Sequence, residues 1–163
     1  MTKQILLGQI EQELSQIQEL IAQVKILLEL IALAENQNIQ KGLMSGLALH
    51  LHSFYTGAER IFYDIARDID NVTPTGSDWH RQLLEQMTIE IPGIRPPVLS
   101  EQTRIGMDEY RRFRHVVRSR YAYMLDPVRV QALAQQVFPI AQSLVQDCQQ
   151  FCAGLHLAEQ EEE

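Results

Sequence analysis

The spacing of apolar residues predicts helices along almost the whole chain, because the strict alternation that marks strands is nearly absent. In the first stretch, apolar residues recur at steps of three and four positions. They are Ile10, Leu14, Ile17, Ile21, Val24, Leu28 and Ile31. Residues at this spacing share one side of an α-helix, so one long amphipathic helix is predicted over roughly residues 3 to 35.

Turn and capping residues divide the rest of the chain into further helices. Breaks are expected at Asn36–Asn38, in the loop Thr73-Pro74-Thr75-Gly76 and in the proline-rich, extended segment Ile91–Leu99. The predicted helices run from about Ile39 to Ile69, from the N-cap Ser77 to about Met87, from Ser100 to about Leu125, and onward from Asp126-Pro127. Pro139 is expected to kink the last helix or to leave a gap in its hydrogen bonds.

These elements predict an all-α fold, an up-and-down bundle of four to five helices that forms one domain over residues 1–157. The acidic residues 158–163 are expected to be a disordered tail. No apolar run reaches the roughly 18–20 residues that span a bilayer, and the first residues lack the pattern of a signal peptide. The sequence therefore predicts a cytoplasmic protein without membrane contact.

The distribution of charge singles out the fourth predicted helix. The chain has a formal net charge of −7, which argues against general binding of polyanions. Five arginines nevertheless fall between Arg111 and Arg120. A concentrated basic segment in an acidic protein favours a local site for an anion.

One side of this helix carries most of that charge. At the helical period of about 100° per residue, the following side chains fall within an arc of roughly 120°. They are Arg111, Arg114, His115, Arg118 and Tyr121. The opposite, core-facing side is predicted to hold Phe113, Val116, Val117 and Met124. Stacked guanidinium groups repel one another without an anionic partner. Either an internal network with Glu59, Asp64 and Asp68 neutralises them, or a phosphate does.

The phosphate interpretation gives each side chain a role. Arg114 and Arg118 bind and stabilise phosphate, since arginine stays charged and binds it bidentately. His115 transfers protons near neutral pH, and Tyr121 orients the backbone. Together they would support RNA cleavage without a metal, in which the ribose 2′-OH attacks the adjacent phosphate. The further candidates for substrate binding are Arg111, Ser119, Glu59, Trp79 and His80.

Some of these candidates have alternative interpretations. Trp79 and His80 open the third helix and could reach the arginines to bind a base, but Trp79 is equally a packing anchor. Glu59 could orient an arginine. Cys148 and Cys152 share a helix face and are interpreted as core residues, because no cysteine–histidine spacing typical of zinc is present. The sequence thus predicts no metal site and no cofactor.

The segment around Arg114 resembles the motif of the HEPN nucleases. That motif has an arginine, a polar residue, three further residues and a histidine, often with a tyrosine two positions on. Arg114, His115 and Tyr121 match it, whereas Ser119 stands at the histidine position. Three segments within roughly residues 50 to 152 are similar to the HepT-like branch of the family. They are Phe54-Tyr55-x-x-x-Glu59-Arg60-x-Phe62, Trp79-His80-x-x-Leu83-Leu84 and Phe113-Arg114-His115-Val116-Val117-Arg118.

The resemblance implies a homodimeric ribonuclease toxin that cleaves RNA at a composite dimer site. It also implies a partner, a minimal nucleotidyltransferase antitoxin that adds AMP to the motif tyrosine, here Tyr121. Three functions remain open at this point. The chain is a toxin-type endoribonuclease, or a non-catalytic nucleotide- or RNA-binding subunit that docks to the nucleotidyltransferase, or a purely structural dimeric bundle. Ser119, in place of the motif histidine, is the feature that separates the first from the second.

Overall fold

The computed structural model describes residues 3–161, which form five α-helices and contain no strand in that range. The helices are α1 (Lys3–Leu33), α2 (Gln37–Ile65), α3 (Trp79–Gln86), α4 (Glu101–Ser119) and α5 (Pro127–Glu161). The predicted all-α bundle is confirmed, and its dimerisation stays a prediction. Helix α5 includes residues 158–161 of the expected disordered tail, and the last two residues of that tail lie outside the described range. None of the described helices has both the length and the hydropathy to cross a bilayer.

Helix α2 is the centre of the bundle, because it contacts each of the other four helices. Asn36 caps its start: the side-chain oxygen accepts hydrogen bonds from the backbone N–H groups of Asn38 (2.8 Å) and Ile39 (3.2 Å). Most of the predicted apolar seam of α1 is buried in this core. Its buried members are Ile10, Leu14, Ile17, Val24 and Ile31.

A buried ion pair fixes the end of α2 to the connection between α3 and α4. The chain after α2 forms a single π-helical turn, Ala66–Asp70. Asp70 accepts two hydrogen bonds from the Arg95 guanidinium, at 2.5 Å from Nε and 2.7 Å from Nη2, and both side chains are at most 1% exposed. The guanidinium also donates to three backbone carbonyl groups, so the buried charge is well satisfied. The carbonyl groups belong to Gln86, Ile89 and Pro96.

The predicted extension of the fourth helix to Leu125 is wrong, because α4 ends at Ser119. Arg120 is extended (φ −133°, ψ 154°), and a short 3-10 turn follows. The helix ends where its inner face lacks buried partners, since Val116 is already 36% exposed. The Ser119 hydroxyl also donates to the Val116 carbonyl (3.1 Å), which competes with helical bonding. Val116 and Met124, predicted to face the core, are therefore exposed.

Ser100 and Asp126, predicted at the starts of the last two helices, lie at the N-terminal ends of α4 and α5. The side chains of Ser100 and Asp126 accept backbone N–H hydrogen bonds at 3.2 Å and 3.0 Å at the starts of α4 and α5. Ser77 is not the cap of α3. Asp78 occupies that position, and its carboxylate accepts from Arg81 Nε (2.8 Å) instead of from the backbone.

Helix α5 continues through Pro139. Proline has no N–H, so the carbonyl of Gln135 lacks its helical partner, but both residues are exposed and water can hydrate that carbonyl. Cys148 and Cys152 are buried and form no disulfide, which confirms their interpretation as core residues. The inner face of the helix is otherwise apolar, with Val130, Leu133, Val137, Leu144, Phe151 and Leu155 buried.

Replacing Arg95 with methionine is expected to destabilise the fold by about 3–5 kcal/mol, because Asp70 would remain buried without its charged partner. Urea unfolding followed by circular dichroism measures the change in the free energy of unfolding. The matched control is Arg104→Met, which removes an arginine whose one ion pair among residues 3–158 is with Glu101 of the same helix. That variant is expected to lose at most about 1 kcal/mol. Equal losses in both variants would contradict the structural role of Arg95.

Candidate functional site

The buried face of α4 determines where its arginines point. Met107, Tyr110 and Phe113 are buried in the core. The Tyr110 hydroxyl donates to the Leu133 carbonyl of α5 (2.8 Å), and its ring packs perpendicular to that of Phe54 of α2 with centroids 5.2 Å apart. These contacts attach α4 to two other helices. The arginine-bearing face is therefore held toward the start of α3.

Between α3 and α4 lies a groove of about 560 Å³, which we call the arginine groove. Six of the residues predicted for the site or its immediate neighbourhood come together here. The groove is lined by Ser77, Asp78, His80, Arg111, Arg114, His115, Arg118 and Ser119. The structure thus brings together Arg111, Arg114, His115, Arg118, Ser119 and His80 from the predicted set.

Glu59 lies beneath this groove with only 8% of its side chain exposed. One carboxylate oxygen, Oε2, is 2.6 Å from His80 Nδ1, and the other, Oε1, is 3.4 Å from Arg114 Nη2. Arg114 Nε donates in turn to the Thr56 hydroxyl (3.1 Å). The carboxylate therefore links α2 to both walls of the groove, α3 and α4.

The internal arginine–carboxylate network is realised only in part. Glu59 does pair with Arg114, but Asp64 and Asp68, predicted as further partners, both pair with Arg67. A neighbour within α4 pairs with Arg111: Asp108 Oδ1 is 2.7 Å from its Nε.

The outer part of the groove has uncompensated positive charge. Arg118 is exposed, and no carboxylate of residues 3–158 lies within ion-pair distance of it. His115 is exposed beside it and forms no hydrogen bond to another side chain of the described part of the chain. Both groups are available to a ligand, whereas Arg114 is anchored to the groove floor.

Sequence reasoning missed the residues that α2 places next to Glu59, outside the lining of the groove. His52, Tyr55 and Thr56 lie at helical spacing with the predicted Glu59 on α2, and this spacing was the available signal. Burial lowers the pKa of His52, and the positive charges of Arg114 and Arg118 lower it further, with a smaller opposing effect of Glu59. The Tyr55 hydroxyl is buried without a hydrogen-bond partner in the described range. Burial and the charge of Glu59 raise its pKa.

Trp79 and Tyr121, both predicted for the site, do not line the arginine groove. The Trp79 ring stacks on the His80 ring with centroids 3.7 Å apart and faces a second groove that also exposes Tyr63. Tyr121 follows the end of α4, is 72% exposed and stacks on Tyr123 with centroids 5.9 Å apart. The predicted position of Tyr121 on the arginine face of α4 is wrong, because the helix ends before it.

The donor set of the groove does not suit a metal ion. Arginine side chains dominate its lining, and no group of three or more histidine, cysteine or carboxylate side chains within the described residues is arranged as metal ligands. Guanidinium groups and imidazoles instead suit an anion such as phosphate.

The chain is thus a helical bundle whose fourth helix carries one wall of an arginine- and histidine-lined groove. The family model described as "HepT-like protein" matches residues 46–155. This chain belongs to the HepT-like family, as its resemblance over residues 50 to 152 predicted. No curated protein and no solved structure is significantly similar to the chain.

Replacing Arg118 with glutamine is expected to raise the pKa of His52, because a positive charge that opposes its protonation is removed. A pH titration of the His52 ring signals by NMR measures this shift. Arg112→Gln is the control, since Arg112 pairs with Asp108 and Glu109 and does not contribute to the lowered pKa of His52. An unchanged pKa of His52 in the Arg118 variant would mean that the Arg118 charge does not affect the protonation of His52.

Proposed function

We propose that this chain is a toxin-type endoribonuclease of a HEPN/nucleotidyltransferase pair, which cleaves RNA in the arginine groove without a metal ion. The observation that carries the proposal is the exposed Arg118, which lines the groove without a carboxylate partner in the described range. A guanidinium held in this way suits a phosphodiester, which it can bind through two parallel hydrogen bonds. Membership of the HepT-like family supports the same activity.

The roles divide according to how firmly each group is held. Arg114 would position the scissile phosphate, because its Nε donates to Thr56 and its Nη2 pairs with Glu59, which fixes the guanidinium and leaves Nη1 for a ligand. Arg118 would stabilise the charge that develops on phosphate, and His115 would transfer a proton. Arg111 and Ser119 would bind the flanking backbone. The 2′-OH attacks the adjacent phosphate, which leaves a cyclic phosphate.

The partner proposed for the chain is a minimal nucleotidyltransferase antitoxin. Tyr121 is 72% exposed on the segment after α4, so its hydroxyl is accessible to a modifying enzyme. A homodimer in which two α4 helices approach each other would complete the substrate channel, and Tyr121 would then lie near the groove of the partner copy. The second candidate function, a docking subunit without catalysis, is favoured by Ser119 at the motif histidine position.

Arg118→Ala is expected to lower cleavage of purified RNA by about 100-fold or more, the usual cost of losing one donor to a developing anionic charge. The control is Arg112→Ala, which removes the same charge from the same helix outside the groove. It should cleave at close to the wild-type rate. Gel analysis of RNA cleavage and circular dichroism of each variant provide the measurements. If both variants behave alike, or if the wild type cleaves no RNA free of its partner, the ribonuclease proposal fails.

Co-expression with a minimal nucleotidyltransferase of the proposed antitoxin type is expected to add AMP to Tyr121, and peptide mass spectrometry locates the adduct. Tyr121→Phe should abolish the adduct. Tyr123→Phe should keep it, although Tyr123 is 84% exposed and stacked on the same ring. An adduct on Tyr123, or none at all, would contradict the proposed regulation.

A further inference from the structure

His80 of α3 has the contacts expected of a histidine that accepts a proton. It lies outside the α4 segment that resembles the nuclease motif. Its Nδ1 lies 2.6 Å from Glu59 Oε2, and its side chain is 27% exposed on the wall of the arginine groove. An ionised carboxylate only accepts hydrogen bonds, so Nδ1 carries the proton and donates it to Glu59. Nε2 is then the unprotonated nitrogen that remains for the groove.

The ring of His80 is also fixed in orientation. Trp79 stacks on one face with centroids 3.7 Å apart and an interplanar angle of 29°. The carboxylate that receives its Nδ1–H is itself buried and paired with Arg114. A histidine held by a buried carboxylate on one nitrogen and open on the other keeps one tautomer, and the carboxylate stabilises the imidazolium that forms when Nε2 takes up a proton.

The residue at the motif histidine position cannot supply this function. Ser119 donates its hydroxyl proton to the Val116 carbonyl (3.1 Å), and a serine hydroxyl does not exchange protons efficiently near neutral pH. His115 lies on the same groove, but no carboxylate of the described residues fixes its tautomer. His80 reaches the groove from the opposite wall, α3, which would place the two imidazoles on two sides of a bound phosphodiester.

We propose that His80 is the general base of RNA cleavage and that Glu59 is its positioning residue, an inference that rests on the proposed ribonuclease function. His80 Nε2 takes the proton of the ribose 2′-OH while the 2′-oxygen forms a bond to the adjacent phosphorus. The bond from phosphorus to the 5′-oxygen breaks, and that oxygen takes a proton from His115. One proton is accepted and one is given, and the products are a 2′,3′-cyclic phosphate and a 5′-hydroxyl end.

The test compares His80→Asn with the wild type in single-turnover cleavage of RNA. Asparagine can still donate a hydrogen bond to Glu59 but cannot accept the proton, so the rate is expected to fall by about 100-fold or more. The affinity of His80→Asn for the same RNA carrying 2′-O-methyl groups should differ from that of the wild type by less than about threefold. Such RNA cannot be cleaved, so this measurement reports binding without the reaction. His156→Asn, an exposed position near the end of α5, is the control and should cleave as the wild type does.

Glu59→Gln tests the positioning role through the pH profile. A neutral amide keeps the size of the side chain but stabilises the imidazolium less, so the acidic limb of kcat/KM is expected to move to lower pH as the rate falls. A purely structural role would lower the rate without moving this limb. The charged or titratable groups that face His80 are Glu59 of α2, Asp78 at the N-cap of α3, and Arg111, Arg114, His115 and Arg118 of α4.

The outcomes separate this inference from the proposed function. If the wild type cleaves, Arg118→Ala does not, and His80→Asn cleaves within about threefold of the wild type, then His80 is not the base and the ribonuclease proposal stands. If the wild type binds RNA but never cleaves it, both fail together. If His80→Asn does not fold by circular dichroism, the Glu59→Gln profile decides: an unmoved acidic limb overturns the inference.

Discussion

Glu59 is a carboxylate almost closed off from water, and the geometry of the whole groove depends on what surrounds it. A buried, unpaired carboxylate costs several kcal/mol, so its neighbours must satisfy it. The structure does this with His80 from α3 and Arg114 from α4, one on each oxygen. Both walls of the groove are thereby attached to the Glu59 carboxylate on the central helix. Moving either wall would expose this carboxylate to water or leave one of its oxygens without a partner.

The side chains at the base of the groove are therefore fixed by partners, whereas those at its outer edge are exposed and unpaired within residues 3–158. Arg114 and His80 are held by Glu59, and Thr56 adds a hydrogen bond to Arg114 Nε. His115 follows Arg114 directly on α4 and Arg118 lies one helical turn further along; both are exposed and are not held by any carboxylate of residues 3–158. A polyanionic ligand would meet preorganised groups at depth and adaptable groups at the surface. Preorganised groups are the ones best suited to stabilise a transition state, because their orientation is already fixed before the ligand binds.

Periodicity predicted the helices because each buries a continuous apolar stripe, and Ser100 and Asp126 marked two starts because their side chains cap backbone N–H groups. Periodicity placed the end of α4 too late, because nothing within residues 116–125 indicates whether another element covers that stretch. Contacts between distant positions were equally invisible: Glu59 and His80 are separated by 21 residues, and Asp70 and Arg95 by 25. Glu59 and His80 were identified as candidates from the types of residue nearby, but their pairing required the fold.

The formal net charge of −7 argues against general binding of polyanions, but it does not describe the charge near the groove. His52, which lies outside the lining of the groove, is affected by that local charge. The lowered pKa of His52 reflects burial first and the charges of Arg114 and Arg118 next, with Glu59 opposing them. The positive effect is therefore not cancelled by the buried carboxylate. The same field that disfavours a proton on His52 favours a phosphate between the arginines, because both respond to the sign of the potential at the groove. The positive charge of the groove is a local feature, since the chain as a whole has a formal net charge of −7.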